Sequence, residues 1–309
     1  MRSRDGTSTP EAVRFRSGPL TLAGHLRVPS EQTAPGPAIV LTGPLSGVKE
    51  QVTGIYADAL AAHGFVTLAF DHRNFGASEG EPRQHEDAAG KRQDLLDATS
   101  YLASRPEVDP DRLASLGICL GASYALLHAS FDPRIRALGL VAGGYNEAAA
   151  MRAGMGHERY RALLRDAAEA DAHTQATGEV RELAAVAADG GPAVMSGDEP
   201  FDYYGTDRAA SPGWRNRLTF TTIRELVTLD ATAGIDLLAD TPTLVVHGRT
   251  DAYCSPEQAA RVYERLPGPK ARLWLDTTNH IDLYDVPAYV GPAVERLAAW
   301  FDEHLAPTS

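Results

Sequence analysis

The sequence predicts an α/β protein built on a mostly parallel, doubly wound sheet, and three observations carry that expectation. Short apolar runs ended by turn residues recur along the chain, and they are apolar on both faces, as buried parallel strands are. Stretches with helical spacing separate them. The 309 residues, 43% of them hydrophobic, suffice for one large core with an elaboration.

Taken in order, "AVRFRSG" and "LTLAGHLRVP" alternate with period two across a Ser-Gly-Pro turn and predict antiparallel N-terminal strands. "PAIVLTG" (37–43), "FVTLAF" (65–70), "LASLGI" (113–118), "IRALGLVAG" (135–143), "TPTLVVHG" (241–248) and "ARLWLD" (271–276) follow as parallel strands. Helices are expected at "KEQVTGIYADALAAHG", "AAGKRQDLLDATSYLASRP", "SYALLHAS", "PEQAARVYERLPG" and "YVGPAVERLAAWFDEHL". The alternation breaks between residues 146 and 235. There "RYRALLRDAAEADA" and "EVRELAAVAA" read as helical, "ADGGPAVMSGDEP" as a Gly-rich link and "FDYYGTDRAASPGWRNRLTF" as an aromatic segment. Residues 146–235 are therefore expected to form a helical cap insert over a core made of residues 1–145 and 236–309.

A net charge of −12 and a pI near 5.3 repel phosphate backbones and anionic lipid, so neither nucleic acid nor membrane is expected as a partner. The N-terminal "MRSRDGTSTPEAVRFRSG" has no apolar stretch behind its basic residues, and a cytoplasmic location is expected. In such a compartment Cys119 and Cys254 are thiols with separate roles. Monomer and homodimer remain open.

"GICLGAS" (117–123) joins a predicted strand to a predicted helix. A nucleophile on a sharp strand-to-helix turn needs small residues two before and two after it, here Gly117 and Gly121. Cysteine suits the place because a helix N-terminus favours a thiolate, the nucleophilic form. The competing reading of Cys119 is a small buried hydrophobe.

A nucleophile there calls for an acid and then a histidine, each in a loop after a later strand. "VVHGRTDAYCSP" supplies Asp251 and "LWLDTTNHIDLYD" supplies His280. His280 would be the base, with Asp251 holding its tautomer. Among the ten histidines His72 is the serious rival, and Glu147 is the rival acid; Asp276, Asp282 and Asp285 read as loop groups. An oxyanion hole needs two N–H donors, one from Leu120 and one from "TGPLSGVKEQ". Pro44 has no N–H, so Leu45 is the second donor and Ser46 the fallback. Ser46 and the cap aromatics Tyr203, Tyr204, Trp214 and Phe220 are the candidate lining of a substrate pocket.

At these motifs the chain resembles the α/β-hydrolase superfamily. Within it, the chain is similar to a bacterial group near dienelactone hydrolases and Xaa-Pro dipeptidyl-peptidase-like hydrolases. The matching stretches are "GPLSGVKEQ", "AFDHRNFGASEGEPR", "GICLGAS" and "HIDLYD", where similar members look like "HPGGGVKEQ", "AFD…GESGGEPR", "GICGGG" and "HFDLYD". The resemblance implies a Cys119–His280–Asp251 triad, an oxyanion hole at the Leu45 and Leu120 amides, and hydrolysis of an ester, lactone or similar acyl bond without metal or organic cofactor. The chain departs from the pattern at Gly43-Pro44-Leu45-Ser46-Gly47, and at Leu120 and Ala122, where relatives have glycine.

A cysteine hydrolase of small acyl substrates is thus the leading expectation. Acyl transfer or cyclisation through the same thioester, a non-catalytic binding protein, and thiol redox chemistry between Cys119 and Cys254 are the alternatives.

Overall fold

The computed structural model describes residues 9–188 and 190–307. Strands β1 (Glu11–Ser17), β2 (Leu20–Arg27), β3 (Gly36–Thr42), β4 (Val66–Phe70), β5 (Val108–Ile118) and β6 (Ile135–Val141) come first. Strands β7 (Glu182–Ala187), β8 (Ala193–Ser196) and β9 (Leu218–Thr219) lie between residues 146 and 235, and β10 (Thr243–Gly248) and β11 (Lys270–Leu275) follow. Helices α1 (Val52–Ala62), α2 (Ala88–Ala103) and α3 (Gly121–Phe131) alternate with the early strands. Next come α4 (Ala148–Met155), α5 (His157–Thr177), α6 (Asp198–Tyr204) and α7 (Thr222–Thr228), then α8 (Pro256–Arg265), α9 (Asp282–Asp285) and α10 (Pro287–His304).

Eight strands pair in the order β1-β2-β4-β3-β5-β6-β10-β11. The β1–β2 and β2–β4 joins are antiparallel and the remainder parallel. This is the α/β-hydrolase fold. The two-sided apolarity of the central strands serves two cores: in β3, Ala38 and Val40 face the layer of Leu95 and Leu126, whereas Ile39 and Leu41 face Tyr56, Leu297 and Phe301. Local chemistry fixes helix starts. Asp87 accepts from Gly90 N at 2.8 Å ahead of α2, and Ser255 accepts from Gln258 N ahead of α8, whose first residue is Pro256. Among the described residues no helix is long and apolar enough to cross a membrane.

The region 146–235 departs from its helical expectation. "RYRALLRDAAEADA" lies inside α5, but residues read as helical in "EVRELAAVAA" form β7, and the "AVMS" of the Gly-rich link forms β8. The strands make a small sheet in the order β8-β7-β9. Alanine-rich sequence has no strand preference of its own, so partners decide. The Asn216 side chain accepts from Val186 N at 2.9 Å and donates to Val186 O at 3.1 Å, satisfying the backbone of β7 where no strand continues.

Candidate active site

Cys119 stands between the end of β5 and the start of α3 with φ +57°, a left-handed conformation unusual outside glycine. The surrounding backbone holds it there: Cys119 N donates to Val141 O, and Cys119 O accepts from Ala122 N and Gly144 N at 2.9 and 3.0 Å. The flanking glycines are steric necessities. A methyl group at Gly117 would lie 2.3 Å from Gly121 O, and one at Gly121 would lie 2.3 Å from Thr42 O and 2.7 Å from Gly43 O.

The loops after β10 and β11 bring Asp251 and His280 to the same place. His280 Nδ1 and Asp251 Oδ2 are 2.6 Å apart, with both side chains buried. The other carboxylate oxygen accepts from Tyr253 N and Cys254 N at 2.8 and 2.7 Å, which curls the loop so that Cys254 meets the strand-to-helix turn. Cys119 Sγ and Cys254 Sγ are 3.9 Å apart as free thiols, and these sulfurs and a ring nitrogen of His280 all lie within 4.8 Å of one another. His280 Nε2 is 3.0 Å from the Tyr284 hydroxyl, so both ring nitrogens have protein partners.

Charge in this cluster is polarised. A hydrogen bond from Cys254 holds the Cys119 thiol well below its usual range; burial works against this, and the positive His280 adds to it. Burial alone would lower His280, but the Cys119 thiolate and Asp251 outweigh it and raise the imidazole to about 10. Burial likewise opposes ionisation of Asp251, and the His280 partner and two amides overcome it, leaving the carboxyl below its ordinary value. Cys254 moves the other way: donating to Cys119 raises it well above the usual thiol range, and burial adds to the rise. These directions favour the pairing of a thiolate with an imidazolium. Because His280 is raised from 6.5 to about 10, its contribution to folding stability is complete below pH 6.5 and is lost as pH climbs through about 10.

Replacing Cys254 removes the donor with the largest effect on Cys119. In Cys254→Ala the pH midpoint for alkylation of Cys119 by iodoacetamide should move upward, with a loss of about tenfold in alkylation rate at pH 6, the worth of one hydrogen bond to a charged group. An unchanged profile would show that the sulfur pair does not tune the nucleophile.

All the rival candidates but Glu147 are engaged elsewhere. His72 is buried with Nε2 on Thr42 Oγ1 at 2.9 Å and Nδ1 on Asp94 at 3.2 Å, and Glu147 is the residue before α4. Asp282 accepts from Thr278 N and Oγ1, Asp285 pairs with Arg208, and Asp276 pairs with Arg249.

Leu45 and Leu120 line one cavity with Cys119 and His280, and their amides enter no internal hydrogen bond among the described residues. The loop carrying Leu45 is tied down by "GVKEQ". Lys49 N and Nζ each donate to Asp71 at 2.8 Å, Nζ also reaches Glu50, and Val48 N donates to Gln51. Burial would lower the Lys49 ammonium, but Asp71 and Glu50 raise it on balance.

That cavity encloses about 380 Å³. Of the five pocket residues expected from the sequence, Tyr204 lines it and the others do not. Tyr203 is buried behind Tyr204 and Tyr284, with ring centroids at 4.7 and 5.1 Å. Trp214 stacks on Tyr204 and its Nε1 donates to Ser46 Oγ at 3.3 Å, so both back the wall. Phe220 packs under the Arg181 guanidinium, away from the cavity. The remaining walls come from Met151, Val194, Met195, Pro200 and Leu226, with Tyr253, Cys254 and Tyr284 near the sulfur. Sequence reasoning missed these. Glu199 of α6 accepts from Ile281 N at 2.8 Å, joining the insert to the residue after His280.

Comparison with known proteins agrees with the fold. The model of the serine aminopeptidase S33 family matches residues 45–281. The uncharacterized protein YcjY of Escherichia coli (strain K12) is 34% identical over 89% of this chain and 91% of its own. The thiohydrolase aneE of Aspergillus aculeatus is 27% identical over 84% of this chain and 83% of its own. The polyketide transferase grgF of Penicillium is 25% identical over 85% and 86%. A crystal structure of GrgF, described as an α/β hydrolase, superposes with a TM-score of 0.81 at 24% identity, covering 97% of this chain and all of that one. The chain is accordingly an enzyme of the α/β-hydrolase fold, of hydrolase or acyltransferase type, and belongs to the serine aminopeptidase S33 family.

Proposed function

We propose that this enzyme hydrolyses an ester, lactone or thioester of an uncharged, largely apolar acyl group through a thioester on Cys119. The carrying observation is the meeting of Cys119, His280 and Asp251 at a cavity whose lining, among the described residues, holds no lysine, arginine or carboxylate. Away from the Cys119–His280 pair, a charged substrate group would lose its hydration there without gaining a partner. The thiolate attacks the acyl carbon, the carbonyl oxygen gathers charge against the Leu45 and Leu120 amides, and His280 returns a proton to the leaving group. Water then repeats the sequence with His280 as base and Asp251 stabilising the imidazolium. This scheme needs no metal or organic cofactor. A thiolate nucleophile supports a reducing compartment, the cytoplasm, as its place of work. The cysteine turn and "HIDLYD" align this reading with the dienelactone hydrolase-like group.

Brief exposure to p-nitrophenyl hexanoate followed by intact-protein mass spectrometry should show one hexanoyl group, mapped by digestion to Cys119. Turnover without any adduct on Cys119, or no turnover at all, sinks the reading. Acyl transfer is the second reading, favoured by the apolar acyl cavity and by the relative named a polyketide transferase. Products formed with and without a competing alcohol separate the two.

A further inference from the structure

Tyr284 is left over from the scheme above although it is a direct hydrogen-bond partner of the base. Its hydroxyl lies 3.0 Å from His280 Nε2, the nitrogen that faces the chemistry once Nδ1 is committed to Asp251. The same side chain lines the cavity with Cys119 and favours the ionised form of its sulfur. Its position is tightly determined. Tyr284 is 1% exposed, its ring meets His280 at 5.0 Å and Tyr203 at 5.1 Å, and its amide donates to Ile281 O. Tyr56 Oη donates to Leu283 O at 2.8 Å, and Glu199 holds Ile281 N, so the short helix α9 is anchored from both sides. Burial, with the thiolate adding to it, keeps the phenol well above its ordinary pKa and hence protonated.

We propose that the Tyr284 hydroxyl is a fourth catalytic group, the relay through which His280 exchanges protons with the reacting atoms. The proposal rests on the Cys119 mechanism above. In the thiolate–imidazolium state, Nε2–H donates to the phenol oxygen and the phenol O–H donates to sulfur. When sulfur bonds to the acyl carbon it stops accepting that hydrogen bond, and the O–H turns to the departing atom. As the bond from acyl carbon to leaving group breaks, the phenolic proton passes to the leaving group and the Nε2 proton replaces it. The products are a neutral imidazole, an intact phenol and a protonated leaving group. In the second half, water gives its proton by the reverse route as its oxygen bonds to the acyl carbon, and collapse releases the thiolate.

The test compares two leaving groups in wild type and Tyr284→Phe, which keeps the ring. The burst of p-nitrophenolate from p-nitrophenyl hexanoate needs no proton donor, whereas acylation by ethyl hexanoate does. The relay predicts that kcat/KM for the ethyl ester falls about 10²-fold while the burst rate changes less than about threefold. A merely structural role would lower both alike, and that result, or no loss on either, overturns the relay. Wild type supplies a check that survives a misfolded variant: in H2O–D2O mixtures the ethyl ester rate should depend quadratically on deuterium content, for two protons in flight. A linear dependence also overturns it. Full activity of Cys119→Ala would instead condemn the nucleophile reading, and inactive Cys119→Ala and His280→Ala beside an unimpaired Tyr284→Phe would condemn the relay alone.

Discussion

Cys119→Ala is expected to lose thioester and ester hydrolysis by about 10⁴-fold or more while unfolding within about 2 °C of wild type. The loss follows from removing the atom proposed to form the covalent bond, which binding and oxyanion contacts alone do not replace. Steady-state rates on p-nitrophenyl hexanoate and an acyl thioester, beside a thermal melt, check both halves. Cys119→Ser sharpens the point, because the site stabilises a thiolate through Cys254 and His280, and a hydroxyl of far higher pKa gains much less from those groups. The serine variant should keep at most about a hundredth of wild-type activity. A serine enzyme as fast as wild type would show that the sulfur-tuned surroundings are idle.

Gly121→Ala is expected to be severely damaging. The new carbon would sit against two carbonyl oxygens, Thr42 O and Gly43 O, and neither is the end of a flexible side chain. Relief demands that β3 or α3 shift, at about 3 kcal/mol or more, which for a chain of this size is a fall of about 6 °C or more in Tm. Activity should fall too, since Gly43 opens the loop that bears Leu45. Gly291→Ala is the matched control. It lies inside α10 with nothing within 4 Å of the added methyl, and should gain about 0.5–1 kcal/mol. Differential scanning calorimetry of the pair decides: equal Tm values would remove the steric account.

The core was legible because each central strand is apolar on both faces and closed by a turn residue, a pattern set within six to nine neighbouring residues. Cys119, Asp251 and His280 were legible for a related reason: strand ends locate loops, and loops locate their side chains. The cavity wall was not. Met195 sits in a four-residue strand that exists through its pairing with β7, and the backbone of β7 is completed by Asn216, thirty positions from Val186. No local periodicity encodes that. Phe220 was misplaced because aromatic character says that a residue is buried, not against what; its partner is the Arg181 cation. Tyr284 was in plain view inside "HIDLYD", four positions after His280, and what it lacked was a distance.

The tether between Lys49 and Asp71 bears on when this enzyme spends free energy. A loop that had to find its shape around each new tetrahedral oxygen would surrender conformational entropy on every turnover, and the barrier would carry it each time. Here the backbone of Lys49 and its ammonium both grip one carboxylate that is wholly inside the protein, so that entropy is surrendered once, when the chain folds. On the proposed mechanism the N–H of Leu45 then meets each arriving acyl group already aimed, and the outlay is recorded in the stability of the fold instead of in the rate.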